Sequence, residues 1–499
     1  MNIMMLLEMA SGGFGDRVAF TNPADNVSLT YEQLFAAAGA TAAHIKASGA
    51  ARFVMLDVTS LAVPVGLFGS AWAGVPYVPL NYRLTPGEVD ALMARVKPAY
   101  LVTDAERLPG FASADDVQAL HRQAFLDISN SGNEGPGEWS ADAEDTAVLL
   151  FTSGTTGIPK AAVLRQKHLV SYILSSVEFM GADANDAALV CVPPYHVAGI
   201  AAVLSSVYAG RRVVQLAQFS AETWLELARK ERITNAFVVP TMLSRIVDAL
   251  AGKSSAGLPH LRAVSYGGGK MPLSIIKRAM ELFPTTDFTN AYGLTETSST
   301  VAVLGPEDHR AAAAATDEIT QRRLVSVGRA LPGVEIEVRG EAGNVLGPGE
   351  RGEIYVRGEQ VSGEYEGRGS VVDNDGWFPT RDAGSMDAEG YLYLEGRADD
   401  VIVRGGENMS PGEIEDVLLA HAAIADAAVV GVPDEQWGEG VAAVVVLRVG
   451  HSASADELQT WVREHLRSSR VPQRMEFWPE LPYNETGKLL RRVVKERLS

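Results

Sequence analysis

Cysteine is almost missing from this chain: Cys191 is the single one among 499 residues. One cysteine cannot form an intramolecular disulfide, and it cannot supply a metal site that needs several thiolates. No basic residue flanks Cys191 to lower the pKa of its thiol, so we expect a buried packing residue and not a nucleophile. These observations exclude a disulfide-stabilised scaffold and a multi-cysteine metal centre.

The chain also has few basic residues in comparison with its acidic ones. The chain carries 43 lysines and arginines against 62 aspartates and glutamates, which gives a formal net charge of -19. A surface this acidic repels phosphate backbones, so nucleic acid is excluded as a general partner. An anionic substrate would need a local cluster of positive charge.

Long apolar runs and targeting signals are also missing. The first ten residues have no basic residue before their short apolar run, which Glu8 interrupts, and this is unlike a secretory signal. The longest apolar stretch, residues 65–80, contains glycine and proline and is shorter than the roughly 20 residues that span a bilayer. We therefore expect a cytoplasmic protein without integral membrane association.

Short β-rich apolar runs alternate with helical patterns over most of the chain. RFVMLDV at 52–58 and YVPL at 77–80 flank an apolar helical stretch, and a further helical pattern follows at 85–97. Such alternation predicts parallel strands joined by crossover helices, and hence an α/β fold. The length of the chain predicts more than one domain.

The pattern changes twice toward the C-terminus. Short alternating strands with glycine-rich turns occupy about 325–398 and predict a small β-barrel-like subdomain, in which 369–390 is expected to form exposed turns. From 399 to 499 the pattern is that of a compact α+β unit. We therefore predict a large N-terminal domain of parallel-sheet α/β subdomains over 1–398, followed by a C-terminal domain over 399–499.

The strongest motif is LLFTSGTTGIPKAAV at 149–163. Small residues let the backbone approach a ligand, amides and hydroxyls offer donors, and a lysine adds positive charge, as polyphosphate binding requires. The spacing differs from the usual P-loop, because Ala161 follows the lysine where a metal-binding Ser or Thr would stand. A mobile surface loop is the alternative. The predicted phosphate-binding residues are Thr152, Ser153, Gly154, Thr155, Thr156, Gly157 and Lys160.

Further motifs follow this loop along the chain. They are PPYHVAG (193–199), SYGGGKMP (265–272), NAYGLTET (290–297), GWFPTRD (376–382), GRADDVIVRGGENMSPGEIE (396–415), GVPDEQWGE (431–439) and LPYNETGKLLRR (481–492). Together with the loop, they resemble the ordered motifs of the adenylate-forming superfamily, which includes acyl- and aryl-CoA synthetases, peptide-synthetase adenylation domains and luciferases. The resemblance extends over nearly the whole chain.

The resemblance implies an acid–thiol ligase of the acyl-CoA synthetase type. Such an enzyme couples a carboxylic acid to ATP as acyl-AMP with release of pyrophosphate, then transfers the acyl group to CoA and releases AMP. Mg²⁺ would be the cofactor and Glu296 its ligand, because Mg²⁺ prefers carboxylate and phosphate oxygens. Standing alone, Glu296 could equally be a surface carboxylate.

The resemblance also assigns a nucleotide site. A glycine turn would lie on the adenine side, at the carboxyl end of a strand where open α/β sheets bind ligands. Tyr292 would offer a flat face to the purine, and Thr295 a hydroxyl to a phosphate. The residues assigned to ATP or AMP in these two motifs are Gly267, Gly268, Gly269, Asn290, Ala291, Tyr292 and Gly293.

Asp382 and Arg397 are assigned to the ribose. A carboxylate can accept both ribose hydroxyls, and a guanidinium can span two oxygens. As isolated residues they could instead form an ordinary surface salt bridge. Arg381 departs from the family pattern, which has glycine there, and it either adds a cation beside the nucleotide or points outward.

The resemblance makes the C-terminal domain mobile about a hinge at Asp399. Lys488 would be the central lysine of the first half-reaction, and rotation would then remove it from the site. His196 would gate the acyl or pantetheine channel, although a histidine beside apolar residues is also a common core group. The residues that would meet CoA after the rotation are Gly405, Gly406 and Glu407.

The segment 193–197 bears on the substrate. In amino-acid-activating members of the family this segment usually carries an aspartate that pairs with the α-ammonium. Here it contains no carboxylate, and burying an unpaired ammonium is costly, so the resemblance disfavours amino acids. Aliphatic, cyclic and aryl acids stay open, as does a homodimer. Two alternatives to the CoA ligase also stay open: an adenylation enzyme that loads an acyl carrier protein, and a nucleotide-binding protein of the same fold without turnover.

Overall fold

The computed structural model describes all residues except 112, 113, 115, 131, 133–134, 153–158, 405–406, 435, 485–488 and 499. The side chains of residues 399, 407 and 408 also lie outside this description. Strands and helices alternate through the first three hundred residues, as the sequence pattern predicts.

The strands are numbered in chain order. They are β1 Val18–Asn22, β2 Val27–Thr30, β3 Arg52–Leu56, β4 Tyr77–Pro79, β5 Ala99–Thr103, β6 Val117–His121, β7 Thr146–Thr152, β8 Lys160–Arg165, β9 Ala187–Val190, β10 Arg212–Gln215, β11 Asn235–Val238, β12 Ala263–Gly267, β13 Asp287–Leu294, β14 Ser299–Leu304, β15 Arg329–Ala330, β16 Val334–Arg339, β17 Gly352–Gly358, β18 Glu364–Tyr365, β19 Gly369–Ser370, β20 Phe378–Met386, β21 Leu392–Arg397, β22 Ile402–Arg404, β23 Glu407–Met409, β24 Ile424–Asp434, β25 Gly438–Leu447 and β26 Arg474–Phe477.

The helices are numbered in the same way. They are α1 Met4–Phe14, α2 Tyr31–Ser48, α3 Ala62–Ala73, α4 Pro86–Val96, α5 Leu108–Phe111, α6 Arg122–Ser129, α7 Gln166–Ser176, α8 Val197–Ala209, α9 Ala221–Lys230, α10 Pro240–Ala249, α11 Leu273–Leu282, α12 Pro306–Ala314, α13 Glu318–Arg322, α14 Pro411–Leu419, α15 Ala455–His465 and α16 Arg491–Leu498, with 3-10 turns at Thr295–Thr297, Arg323–Val325, Ala398–Asp400 and Ser468–Arg470. Among the described residues, no helix combines the length and the apolar character that crossing a membrane requires.

Two large sheets form the first part of the fold. One has the strand order β15-β14-β13-β12-β11-β9-β10-β1-β2, and the other has the order β19-β18-β8-β7-β4-β3-β5-β6. The central strands of both sheets pair in parallel. Strands β5 and β9 are buried along their whole length, as expected of parallel strands covered by helices on both faces. The predicted α/β class is confirmed.

Cys191 directly follows β9 and is buried, as predicted. Burial raises the pKa of its thiol to about 12, so the thiol stays protonated at neutral pH. Its sulfur lies 3.7 Å from Sδ of Met242. This is the environment of a packing residue.

The β-rich segment is a four-stranded antiparallel sheet in the order β16-β17-β20-β21. The expectation that 369–390 is turn-rich and exposed is wrong for Phe378–Met386, which forms β20 with Phe378 and Thr380 buried. A register shift between Ala383 and Gly384 interrupts the alternation of buried and exposed residues along β20, so the sequence lacks the usual strand pattern. Arg381 adds a second irregularity, a left-handed φ of 62°.

Arg381 points outward. Its side chain is 60% exposed, and its Nε lies 3.8 Å from Oε1 of Glu353. Of the two positions expected for Arg381, the outward one is therefore confirmed. Its backbone adopts the conformation typical of the glycine in the family pattern, while its side chain extends into solvent.

The C-terminal part is built on β24 and β25, an antiparallel pair that also carries β22, β23 and β26. Apolar residues of α14 and α15 pack on one face of this sheet, and α16 packs on the other. Polar contacts between this part and the rest include one from Nζ of Lys270 to Asp416 at 2.6 Å and one from Oγ of Ser410 to the backbone oxygen of Glu395 at 2.7 Å. The predicted domain division at 398/399 falls in the 3-10 turn and stays a prediction.

We expect Arg381→Gly to stabilise the protein. A left-handed conformation costs an L-residue about 1 kcal/mol or more, which glycine avoids, while the added freedom of the unfolded chain offsets part of this gain. The expected increase in the free energy of unfolding is up to about 1 kcal/mol, measured by urea denaturation. The control is Arg357→Gly on neighbouring β17, where φ is not positive and the same substitution should destabilise. A loss of stability in Arg381→Gly would contradict the strain assignment.

Tyr77→Phe is expected to leave stability unchanged or to raise it by about 1 kcal/mol. The Tyr77 ring stacks on Phe53 at 5.8 Å, but its buried hydroxyl has no hydrogen-bond partner among the described residues. Removing such a group recovers its desolvation cost. The matched control is Tyr266→Phe. The hydroxyl of Tyr266 is equally buried but is hydrogen-bonded to Nε2 of His309 at 2.8 Å, so its removal should lower the free energy of unfolding by about 1 kcal/mol. Thermal unfolding of both variants tests the difference.

Candidate active site

Two of the sequence motifs meet where β12 and β13 end side by side. The strands are parallel, and their register pairs Tyr266 with Asn290 and Gly267 with Ala291. A Cβ on Gly267 would overlap the backbone oxygen of Ala291, so only glycine permits this approach. The predicted glycine turn, with Gly268 and Gly269, therefore adjoins the Tyr292 motif at the carboxyl edge of the sheet, where open α/β sheets bind ligands.

Glu296 lies on the 3-10 turn that follows β13. Gly293 makes this turn possible, because a Cβ there would overlap the backbone oxygen of Ser299 on the returning strand. The hydroxyl of Thr297 donates to the backbone oxygen of Leu294 at 3.0 Å and closes the turn. Thr295 and Glu296 are both half-buried on it.

Tyr365 brings Glu296 and Lys160 together. Its hydroxyl donates to Oε1 of Glu296 at 2.7 Å, and Nζ of Lys160 lies 5.4 Å from the centre of its ring. Burial, followed by the negative charge of Glu296, raises the pKa of Tyr365 well above its ordinary value. The phenol therefore stays protonated and keeps its proton for the carboxylate.

The ends of the predicted phosphate loop pair across β7 and β8. Thr152 is the register partner of Lys160, and its Oγ1 donates to the backbone oxygen of Lys160 at 3.4 Å. The loop between them, with the predicted residues Ser153, Gly154, Thr155, Thr156 and Gly157, lies outside the described residues. The Lys160 end of the loop stands near Tyr365, because β18 pairs Tyr365 with Ala162 on β8.

Tyr292, Asp382 and Arg397 form a second cluster. Oδ2 of Asp382 accepts a hydrogen bond from the Tyr292 hydroxyl at 2.7 Å, and its Oδ1 accepts one from Nη1 of Arg397 at 2.9 Å. Burial, followed by the negative charge of Asp382, raises the pKa of Tyr292 well above its ordinary value. Only 7% of Tyr292 is exposed, so purine stacking on its ring stays a prediction.

Asn290 and His196 are placed differently. Nδ2 of Asn290 donates to the backbone oxygen of Ser326 at 3.0 Å in the interior, and a contact with nucleotide stays a prediction. His196 precedes α8, and its ring centre lies 4.5 Å from that of Tyr195. Burial, with a smaller effect of the Arg83 charge, lowers the pKa of His196 to about 4, so its imidazole is neutral at physiological pH. Its Nε2 is buried without a hydrogen-bond partner among the described residues.

Most of the site residues predicted for the C-terminal domain fall outside the described part of the chain. Lys488, Gly405 and Gly406 lie outside the described residues, as do the side chains of Asp399 and Glu407. The backbone of Asp399 belongs to the 3-10 turn Ala398–Asp400, and Glu407 begins β23. Their roles stay predictions.

Sequence reasoning missed Tyr365. It lies in SGEYEGRG, outside every motif that the sequence analysis used, and its strand β18 is only two residues long. Its proximity to Glu296 and Lys160 depends on strand pairing between distant segments, for which the local sequence carries no signal.

Comparison with known proteins agrees with this geometry. The family model described as AMP-binding enzyme matches residues 7–366, and the model described as AMP-binding enzyme C-terminal domain matches residues 413–488. Similar curated proteins include the fatty acid–[acyl-carrier-protein] ligase ScoC of Streptomyces coeruleorubidus, 32% identical over 94% of this chain and 92% of the relative. Feruloyl-CoA synthase of an Amycolatopsis species is also 32% identical, over 94% of each chain.

Solved structures agree as well. ATP-bound MatB from Rhodopseudomonas palustris superimposes with a TM-score of 0.88 at 28% identity, over 100% of this chain and 99% of that one. The o-succinylbenzoate CoA synthetase MenE from Bacillus subtilis, in complex with its acyl-adenylate intermediate, gives a TM-score of 0.84 at 29% identity, over 98% and 97% of the two chains. This chain therefore belongs to the AMP-binding enzyme family of adenylate-forming acid–thiol ligases, as its ordered motifs predict.

Proposed function

We propose that this protein is an ATP-dependent acyl-CoA synthetase. It activates a carboxylic acid as acyl-AMP with release of pyrophosphate, then transfers the acyl group to CoA with release of AMP. The observation that carries the proposal is that β13 and the turn after it meet two charged clusters. Tyr365 joins Glu296 of the turn to Lys160, and Tyr292 of β13 bonds to Asp382, which pairs with Arg397.

The first half-reaction poses an electrostatic problem. A carboxylate must attack the α-phosphate of ATP, so one anion approaches another, and further negative charge develops on the departing pyrophosphate. Fixed cations and N–H donors lower this barrier, and the loss of one such group typically costs about 10²–10³ in rate. We assign this task to Lys160, to the phosphate loop and to Lys488, with Thr295 donating to a phosphate oxygen.

The residues present suit Mg²⁺. Glu296 offers a hard carboxylate oxygen at the phosphate side of the site, and its other oxygen is held by Tyr365. Mg²⁺ is usually held by one or two carboxylates together with substrate phosphates, so a single glutamate is sufficient. When bound, the ion would supply positive charge to the phosphates of ATP and to the departing pyrophosphate.

The nucleoside would be held by the second cluster. Asp382 has both oxygens in contact with partners, Tyr292 and Arg397, which fix the carboxylate for the ribose hydroxyls. Gly267, Gly268 and Gly269 would contact the adenine, and Asn290 and Ala291 line the neighbouring strand.

In the second half-reaction the CoA thiol attacks the acyl carbonyl, and AMP leaves. We assign Asp399 as the hinge, and Gly405, Gly406 and Glu407 as the pantetheine-facing loop. His196 would border the channel as a neutral imidazole, because burial keeps it unprotonated at physiological pH. It therefore adds no positive charge there.

The acid is expected to lack an α-ammonium group. The segment 193–197 contains no carboxylate, and its Tyr195 is buried against Tyr82 with ring centres 5.4 Å apart. An acyl carrier protein is the second candidate acceptor. ScoC, which is as similar to this chain as feruloyl-CoA synthase is, is an acyl-carrier-protein ligase.

The test is a panel of aliphatic, cyclic, aryl and amino acids, each incubated with ATP, Mg²⁺ and either CoA or an acyl carrier protein. We expect AMP release with at least one carboxylic acid, CoA thioester as the product, and no activity with amino acids. Thioester only on the carrier protein would support the second acceptor. The lack of acid-dependent exchange between pyrophosphate and ATP across the panel would contradict the enzyme assignment.

Lys488→Ala should slow adenylate formation by about 100-fold or more, because a cation is lost where negative charge develops. Thioester formation from a supplied acyl-adenylate should change only a few-fold. Pyrophosphate exchange measures the first step and CoA consumption the second. Lys495→Ala, on the same basic segment and paired with Glu439 at 3.0 Å, is the control and should retain both steps. Equal losses in both steps would contradict the assignment of Lys488 to the first step.

Asp382→Asn should raise the KM for ATP by about 10- to 100-fold, the effect of removing a charged hydrogen-bond acceptor, and leave the KM for the acid unchanged. Asp308→Asn is the matched control. Like Asp382, Asp308 accepts a hydrogen bond from a tyrosine hydroxyl, here that of Tyr391 at 2.6 Å, and lies 3.9 Å from an arginine, Arg329. Asp308 is outside the candidate site. A similar KM for ATP in both variants would contradict the ribose assignment.

A further inference from the structure

We propose that Tyr365 is a positioning residue that orients Glu296 toward Mg²⁺ and holds Lys160 toward the phosphates of ATP. This inference rests on the proposed function and adds a residue to it. Tyr365 belongs to residues 362–366, here called the strap, which run between the Glu296 turn and strand β8.

The strap is bonded to the Glu296 turn through backbone and side chain. The backbone oxygen of Glu296 accepts the amides of Ser362 at 2.8 Å and Gly363 at 3.1 Å. The hydroxyl of Tyr365 then reaches Oε1 of the same glutamate at 2.7 Å. Both the backbone and the carboxylate of Glu296 are therefore set by the strap.

The strap is bonded equally to strand β8, which begins at Lys160. Tyr365 is the register partner of Ala162, and the amide of Glu366 donates to the backbone oxygen of Ala161 at 2.9 Å. The hydroxyl of Ser362 donates to the backbone oxygen of Val163. These bonds bring the ring of Tyr365 to the Lys160 ammonium, 5.4 Å from the ring centre.

Two ion pairs hold the strap from outside the site. Glu364 receives two hydrogen bonds of 2.8 Å from Arg165, and Glu366 receives one of 2.7 Å from Arg52. A two-point arginine–carboxylate pair fixes geometry as well as charge. The residues before and after Tyr365 in the chain are thus both fixed by ion pairs.

The side chain of Tyr365 therefore contacts two groups of opposite charge, the carboxylate of Glu296 and the ammonium of Lys160. The hydroxyl restricts the rotation of the Glu296 carboxylate and leaves its other oxygen for the metal, as residues behind a metal ligand commonly do. The ring face attracts the ammonium of Lys160 without consuming its N–H donors, so these stay available to phosphate. The ion pairs formed by the described residues do not include one between Lys160 and Glu296.

The test compares Tyr365→Phe with Tyr391→Phe. The control removes the same kind of bond, a tyrosine hydroxyl on the Asp308 carboxylate at 2.6 Å, from a ring that also has a cation over it, Arg323 at 4.3 Å. ATP affinity is measured by calorimetry with and without Mg²⁺, together with the melting temperature of each variant.

We expect Tyr365→Phe to weaken ATP binding about 10- to 100-fold in the presence of Mg²⁺ and to leave Mg²⁺-free binding unchanged. Tyr365→Leu, which also removes the ring, should weaken the Mg²⁺-free binding as well. Tyr391→Phe should match the wild type in both conditions. Acyl-AMP formation by Tyr365→Phe should recover when the Mg²⁺ concentration is raised.

An unchanged Mg²⁺-dependent affinity in Tyr365→Phe would overturn the inference. An equal loss with and without Mg²⁺ would also overturn it, since the hydroxyl would then serve only to hold the fold. Because ATP binding is measured without an acid, these outcomes are distinguishable from a failure of the proposed function, which would show as a wild-type protein that binds ATP but activates no acid.

Discussion

The parallel pairing of β12 with β13 is the constraint on which the site depends. Their register sets Gly267 against Ala291 so closely that a side chain on Gly267 would overlap the backbone oxygen of Ala291. Because both strands end at the same edge, the glycine turn and the Tyr292 motif follow side by side. A slip of one residue would move alternate side chains to the other face and separate Tyr292 from Asp382.

The antiparallel β-rich sheet supplies a half-buried charge pair at the predicted nucleoside position. Asp382 and Arg397 are register partners on β20 and β21, and the Tyr292 hydroxyl completes the carboxylate's hydrogen bonds. Taking a charge partly out of water costs less free energy when the charge is paired and hydrogen-bonded, and Asp382 is both. The backbone at Arg381 is left-handed, and the Arg381 side chain lies in solvent. The side chain of the next residue, Asp382, contacts Tyr292 in the candidate site.

The chain has a net charge of -19, yet Lys160 and Arg397 bring positive charge to the candidate site. The cations near the predicted phosphate and ribose positions are each held by a neighbour: Lys160 by an aromatic face and Arg397 by a carboxylate. An aromatic face leaves the ammonium donors free to bind an anion, whereas a carboxylate consumes them. This difference supports the proposed roles, in which Lys160 binds the polyphosphate and Arg397 holds Asp382 for the ribose.

The sequence by itself determined the α/β class, the family and those elements whose signals are local. The helix predicted at 85–97 is α4, Pro86–Val96, which starts with the capping pair of Thr85 and Glu88. Local signals failed at 369–390, where a register shift and the left-handed Arg381 interrupt the alternation of β20. Only the tertiary structure decided the place of Tyr365, because its meeting with Glu296 and Lys160 depends on a two-residue strand pairing with a distant one. Periodicity and capping act within a few residues, whereas a site assembled across sheets depends on register between segments far apart in the chain.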